Sequence, residues 1–362
     1  MFFRPLLLLL LFAFALTPQV SAAESFDWRL PPWMPPPPVP ANNPMSTSKV
    51  ELGRRLFYDI RLSGPGYMSC ASCHQQSLGF ADKKRVPIGI TGEPHHRNSM
   101  GLTNVAYFQA LTWANSSERH LELQLRRPLF GTKPVEMGSL GHEQAIVDLL
   151  MSNSVYRKLF AESFPGTDGR IDFESIGKAI ATFQRTLISA RSPYDRYRYG
   201  GEPSAITSAA KRGEKLFFGQ RLRCGQCHQA PHFTEAATSA RFHNTGLYNL
   251  KGIGQLPGND QGLSDITNRP EDVGRFRTPS LRNVAVTAPY MHDGSIATLA
   301  EVIEHYKEGG RAARTGAPSP LRSKFVTGFE LTTSEKADLL AFLRSLTDRE
   351  FLSDPRFSSP FK

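Results

Sequence analysis

Cysteine stands at 70, 73, 224 and 227 and nowhere else, and each pair is followed at once by histidine, as Cys70-Ala71-Ser72-Cys73-His74 and Cys224-Gly225-Gln226-Cys227-His228. Two cysteines three positions apart on a helical turn can form thioethers to the two vinyl groups of one haem, and the next residue then meets the iron from the same side. The four thiols would also serve a zinc site, or two redox pairs of the thioredoxin kind. Neither of those needs a histidine directly after each pair. The spacing therefore predicts two c-type haems, held covalently by Cys70 and Cys73 and by Cys224 and Cys227, with His74 and His228 as iron ligands. The chemistry then depends on the sixth ligand. A strong ligand such as Met or His makes an electron-transfer centre, whereas an open position admits peroxide or oxygen.

Rigid elements must stand behind these motifs. Ser48-x-x-Glu51 reads as a capping box, with a helix following through Leu52, Leu56 and Phe57 towards Cys70. Near 207 the pattern returns, where Thr207 can cap a helix carrying Leu216 and Phe217 ahead of Cys224. Leu52-Gly53-x-x-Leu56-Phe57 parallels Arg212-Gly213-x-x-Leu216-Phe217, which predicts an internal duplication of one small helical domain. Between the copies, Ile176, Ile180, Phe183 and Leu187 keep helical spacing, and Ser192-Pro193-Tyr194-Asp195 through Pro203 reads as a linker. Thr332-x-x-Glu335 caps a last helix with Leu339, Leu340, Leu343 and Leu346. Strand alternation is scarce, so the chain reads as mainly α with long loops.

The 362 residues suggest two domains, and 40% hydrophobic content excludes wholesale disorder. Leu6–Leu16 is too short to span a bilayer. Preceded by Arg4 and followed by Val20-Ser21-Ala22, it reads as the apolar core of a signal peptide cut after Ala22, which predicts export. Residues 31–44 hold eight prolines, an extended lead in which Trp33 sits and beside which Trp28 stands. The formal charge is +10, but Lys and Arg are scattered with no basic block, which argues against a nucleic-acid partner. The expected division is a signal peptide over 1–22, the lead over 23–45, helical domains over 46–200 and 201–350, and a tail over 351–362.

Longer stretches add a resemblance. Phe242-His243-Asn244-Thr245-Gly246, Thr278-Pro279-Ser280-Leu281-Arg282-Asn283-Val284 and Thr287-Ala288-Pro289-Tyr290-Met291-His292-Asp293-Gly294 are similar to motifs of the bacterial di-haem cytochrome c peroxidase and MauG superfamily. The Pro-rich lead and Val50-Glu51-Leu52-Gly53-Arg54-Arg55-Leu56-Phe57-Tyr58-Asp59 are similar to its MbnH-like members. The resemblance implies two cytochrome c-like helical domains, the N-terminal one peroxidatic and the C-terminal one for electron transfer. It places the acid–base glutamate at Glu136, in Pro134-Val135-Glu136-Met137, a distal-pocket glutamine at Gln124, and a relay tryptophan between the haems at Trp113. Asn98, Thr287 and Pro289 match the ligands of a calcium ion, and hard oxygen donors suit calcium. Where many members carry a distal histidine this chain has a residue near Ile90, with His95 and His96 close by as substitutes, so an open first iron is expected. Fourteen residues beyond His292, where peroxidases place a methionine ligand, stands Tyr306, as in MauG; Met291 is the alternative ligand. A phenolate favours high-valent iron, whereas a thioether favours the reduced state.

The resemblance thus implies a periplasmic enzyme that takes hydrogen peroxide to a high-valent di-haem state. That state would oxidise a partner protein at a distance, at a tryptophan to kynurenine, the partner being a copper-binding MbnP-like protein. The alternatives are a cytochrome c peroxidase drawing electrons from a small cytochrome c, and a non-catalytic di-haem carrier.

Overall fold

The computed structural model describes residues 26–167, 169–248, 260–311, 313 and 319–361. The expected signal peptide lies outside these residues. In chain order the helices are α1 (Thr47–Tyr58), α2 (Leu121–Gln124), α3 (Arg126–Phe130), α4 (Glu143–Ser152), α5 (Ser154–Ser163) and α6 (Phe173–Arg185). They continue as α7 (Pro193–Arg198), α8 (Ser208–Phe218), α9 (Ser264–Thr267), α10 (Leu299–Lys307), α11 (Thr333–Ser345) and α12 (Arg349–Ser353). One two-stranded antiparallel ladder pairs β1 (Phe242–His243) with β2 (Phe276–Arg277). Loops make up most of the rest, so the chain is mainly α. No helix among the described residues is long and apolar enough to cross a membrane.

Two helix crossings repeat the same construction. In the first, α1 lies on α6, and Leu52, Leu56 and Phe57 pack with Ile176, Ile180 and Phe183 in one buried core. In the second, α8 lies on α11, and Phe217 packs with Leu339, Phe342 and Leu343. The glycine shared by the two sequence copies explains the closeness. A Cβ on Gly53 would stand 1.9 Å from the Ala179 carbonyl oxygen, and one on Gly213 would stand 2.0 Å from that of Asp338. Only a residue without a side chain lets the backbones meet there. Each fully buried Phe or Leu at these crossings contributes roughly 1.5–3 kcal/mol.

Local signals differ from expectation at two places. The α1 cap is Ser46, whose hydroxyl accepts from the Lys49 N–H at 3.2 Å, and not Ser48. Glu51 instead holds Arg54 and Arg55 as i,i+3 and i,i+4 ion pairs. The stretch from Ser192, expected as linker, begins with α7. Ser192 and Asp195 cap one another reciprocally and Pro193 occupies the first turn. Tyr194 joins the second core, and the buried Asp195 takes a two-pronged bond from the Arg282 guanidinium at 2.8 and 2.9 Å. Thr207 and Thr332 cap α8 and α11 as expected.

Both ends of the described chain dock on the body. The lead runs without helix, with Met34 and Asn43 buried and Trp33 stacked on Tyr199 at 4.2 Å. From α12 onward the chain returns to the first half. Phe351 and Phe357 enter its core, and Gln76 donates to the carbonyls of Phe351 and Asp354.

Candidate active site

Each Cys-x-x-Cys-His unit folds as one tight turn. The N–H groups of Cys73 and His74 both donate to the Cys70 carbonyl, at 3.2 and 3.0 Å, and those of Cys227 and His228 to Cys224, at 3.3 and 3.0 Å. Cys70 packs on the first core and Cys224 on the second. The two pairs are thus anchored on separate cores, and no disulfide joins them. Burial pushes the Cys70 and Cys224 thiols up to about 12 and Cys73 up to about 11. Reactive Cys-x-x-Cys pairs are shifted the other way, towards thiolate.

The two histidines are held alike. His74 Nδ1 lies 2.7 Å from the Phe80 carbonyl oxygen, and His228 Nδ1 lies 3.0 Å from that of Phe233. A carbonyl only accepts, so Nδ1 carries the proton in each ring and Nε2 keeps its lone pair for a metal. Burial lowers both imidazoles, His228 to about 4, which keeps them neutral. Phe80 and Phe233 are fully buried and held at φ 61° and 53°, in the left-handed region. A bulky residue is strained there, and the surrounding core must over-determine it. Two residues on, Asp82 and Glu235 are both buried. Glu235 accepts from Thr278 Oγ1 at 3.1 Å and pairs with His243. Cys227 lies close enough to that pair to form a three-ligand cluster, but a thioether would remove its sulfur as an anionic ligand.

A cleft of about 1850 Å³, open mouth included, lies against the second motif. Cys224, Cys227, His228, Met291 and Tyr306 line it, together with Phe217, Leu281, Ile303 and Leu343. The Tyr306 phenol is pushed up, first by burial and then by the neighbouring charges of Cys227 and Cys224. Arg277 supplies an independent test of fit. It is 3% exposed and burial brings its guanidinium down to about 9; Nη2 donates to Met100 Sδ at 3.3 Å, but Nε and Nη1 have no hydrogen-bond partner among the described residues. A cation so buried calls for an anion in the cleft it lines, and a haem carries two propionates. Donors, apolar walls and the orphaned cation all fit a covalently held haem.

First-half residues complete that wall. Trp113 lines the cleft, donates from Nε1 to the Asn98 carbonyl at 2.8 Å, and accepts the Arg277 N–H at its own carbonyl. Its ring stands edge-on to His292 at 6.4 Å, and His292 stacks on Phe276 at 3.5 Å. Asn98, Thr287 and Pro289 line the same cleft. Asn98 Nδ2 donates to the carbonyls of Lys84 and Arg85, leaving its Oδ1 as a neutral hard donor. With the carbonyl oxygens of Thr287 and Pro289 this chemistry fits calcium.

Around the first motif, the charge of Glu136 reaches Cys70, Cys73 and His74. Its carboxylate Oε1 lies 3.2 Å from His95 Nε2. Ile90 is buried, its N–H donating to the Glu136 carbonyl at 2.8 Å, while His96 is exposed. Gln124 ends α2, and no bond ties its side chain to Glu136 among the described residues. Sequence reasoning missed the Phe80 and Phe233 carbonyls, the orphaned Arg277 and the His95–Glu136 contact. For the first of these a signal existed, since Phe80-Ala81-Asp82 and Phe233-Thr234-Glu235 follow the two motifs at nearly equal distance.

Comparison with known proteins agrees with this geometry. A family model described as di-haem cytochrome c peroxidase matches residues 47–203. The methylamine utilization protein MauG of Methylorubrum extorquens is 37% identical over 85% of this chain and 81% of its own. A cytochrome c peroxidase of Denitromonas iodatirespirans is 33% identical over 94% of both chains. The crystal structure of a MauG-like protein associated with microbial copper homeostasis superposes with a TM-score of 0.88 and 46% identity, covering 93% of this chain and 100% of that one. The diheme peroxidase BthA of Burkholderia thailandensis shares the fold, with a TM-score of 0.66 at 24% identity. The chain therefore belongs to the di-haem cytochrome c peroxidase and MauG family, and is an oxidoreductase of two cytochrome c-like halves that each bind one c-type haem.

Proposed function

We propose that the chain uses hydrogen peroxide to oxidise a partner protein by long-range electron transfer. Tyr306 is the observation that carries this reading, because it lines one cleft with His228, Cys224 and Cys227. The haems, when bound, supply the redox chemistry and accept oxidising equivalents from peroxide. A phenolate ligand at the second site favours holding an oxidising equivalent over donating an electron. Glu136, on the first site, takes the proton from one peroxide oxygen and returns it to the other. Trp113 stands where an indole can relay charge between the sites, and its N–H bond to Asn98 fixes its plane. Gln124 assists at the first site, and a calcium held by Asn98, Thr287 and Pro289 ties the loops between the halves. The partner in this reading is a periplasmic, copper-binding protein oxidised at a tryptophan to kynurenine, and the similarity to a MauG-like protein associated with microbial copper homeostasis supports its link to copper.

The test is to add one equivalent of peroxide to the di-ferric protein without prior reduction, following the Soret and near-infrared bands and the EPR spectrum of frozen samples. Loss of both ferric signals with a haem–haem charge-resonance band is the expected result. Silence until one haem is reduced would overturn the proposal in favour of a cytochrome c peroxidase with Met291 as ligand, fed by a small cytochrome c.

A further inference from the structure

We propose that His95 is the positioning residue of Glu136, holding its carboxylate in place through an Nε2–H bond, and is not a ligand to the first iron. The inference rests on the reading of Glu136 as the acid–base group.

The tautomer of His95 follows from its two contacts. The Arg97 backbone N–H lies 3.1 Å from Nδ1, and a backbone N–H only donates. Nδ1 must therefore accept, so the ring proton sits on Nε2. That nitrogen lies 3.2 Å from Glu136 Oε1 and donates to it. Both nitrogens are then engaged, and neither offers a lone pair to a metal.

Backbone ties around the pair are rigid. The His95 N–H donates to the Pro87 carbonyl at 2.8 Å, and the Ile90 N–H donates to that of Glu136 at 2.8 Å. Gly89 makes this seam possible, since a Cβ there would stand 2.0 Å from the Val135 carbonyl oxygen. On the other side, the Arg97 guanidinium forks onto Asp260 at 2.8 and 2.7 Å and lies 5.4 Å from the Phe276 ring centroid. The donor is thus fixed by loop 87–97 from both ends, and the carboxylate is fixed by the donor. A residue that orients a reacting group through one hydrogen bond typically matters by about 10- to 100-fold.

The test uses the protein with both haems attached, as wild type, H95L, H95Q and E136Q. The first readout is the second-order rate of Soret change on mixing with hydrogen peroxide. H95L is expected to be slower by about 10- to 100-fold, and H95Q, whose side-chain amide keeps an N–H donor, to recover most of the rate. Carbon monoxide binding to the reduced first haem needs no proton transfer and is expected to be the same in all four proteins. The third readout is the resting EPR spectrum, in which H95L should leave the ligation of both irons unchanged. H95L as fast as wild type, or a change from six- to five-coordinate iron in H95L, would overturn the inference. An E136Q protein as fast as wild type would instead overturn the reading of Glu136 on which it rests.

Discussion

Substituting Gly213→Ala puts a Cβ 2.0 Å from the Asp338 carbonyl oxygen, 2.6 Å from its carbon and 2.8 Å from Phe342 Cβ. Two of these three atoms are backbone of α11, so no side-chain rotation relieves the clash. Restoring ordinary contact at 3.4 Å means parting α8 from α11 by about 1.4 Å at the crossing. A gap of about 1 Å already forfeits up to half of the dispersion energy of each contact across it. Phe217 on one helix and Leu339, Phe342 and Leu343 on the other share that seam. Overpacking with partial relaxation then costs about 3 kcal/mol. At about 2–4 °C per kcal/mol the melting temperature falls by about 6–12 °C. Gly53→Ala, with its Cβ 1.9 Å from the Ala179 carbonyl oxygen, predicts a loss of the same size at the other crossing. Gly166→Ala is the control, because nothing among the described residues beyond its chain neighbours lies within 4 Å of its Cβ. The assay is thermal unfolding of the haem-loaded protein by far-UV circular dichroism. If Gly213→Ala melts within about 2 °C of Gly166→Ala, less than one kcal/mol on that scale, close backbone contact is not what joins the paired helices.

Three further outcomes follow from the same geometry. Asp195→Asn strips the fully buried Arg282 of its counter-charge, and a loss of about 3–5 kcal/mol is expected in denaturant titration of the holoprotein; an unchanged midpoint would contradict it. For Asp59, burial raises the carboxyl but bonds from Arg61 and Tyr156 outweigh it, so its folded pKa lies below the unfolded value. A depressed carboxylate stabilises fully above about pH 4 and loses that contribution as pH falls through the folded value. Asp59→Asn should therefore be less stable than wild type at neutral pH and converge on it in acid, as read by denaturant midpoints across pH. Tyr306→Phe should keep both covalent haems, by mass and pyridine haemochrome, yet lose the near-infrared band after peroxide, and a retained band would remove Tyr306 from the mechanism.

Much of the fold was legible because its signals are local. Thr207, Thr332 and the Ile176, Ile180 and Phe183 spacing each speak for their own helix, and the duplicated glycine marked both crossings. The linker reading failed where a local signal was present. Ser192-Pro193-Tyr194-Asp195 is itself a capping box with proline in the first turn, outweighed by the glycines that follow. Ser48 was mistaken for the cap because Ser46, two residues earlier, offered the same chemistry with no glutamate at the expected distance. At the site, the two Cys-x-x-Cys-His motifs were plain in the sequence, because covalent haem binding demands contiguous residues. Contacts such as His95–Glu136 and Trp113–Asn98 join segments 41 and 15 positions apart through loops, and no periodicity encodes them.

Asymmetry between two copies of one domain has a specific physical source in this molecule. On the proximal side the halves repeat each other, down to a left-handed phenylalanine whose carbonyl fixes the histidine tautomer. They diverge where the loops cross over. Asn98, Met100, Thr103 and Trp113 come from the first half, yet they line the cleft of the second motif. Arg97 forks onto Asp260 in the second half, and the His292 carbonyl receives the Asn98 N–H at 2.7 Å. The second haem site is therefore walled in part by the first half, and the loop that carries His95 is anchored on the second. Duplication alone would yield two equal sites, whereas the crossing loops give the second half a wall that its own sequence copy does not contain. That crossing over also sets the first-half Trp113 ring edge-on to the second-half His292, with centroids 6.4 Å apart.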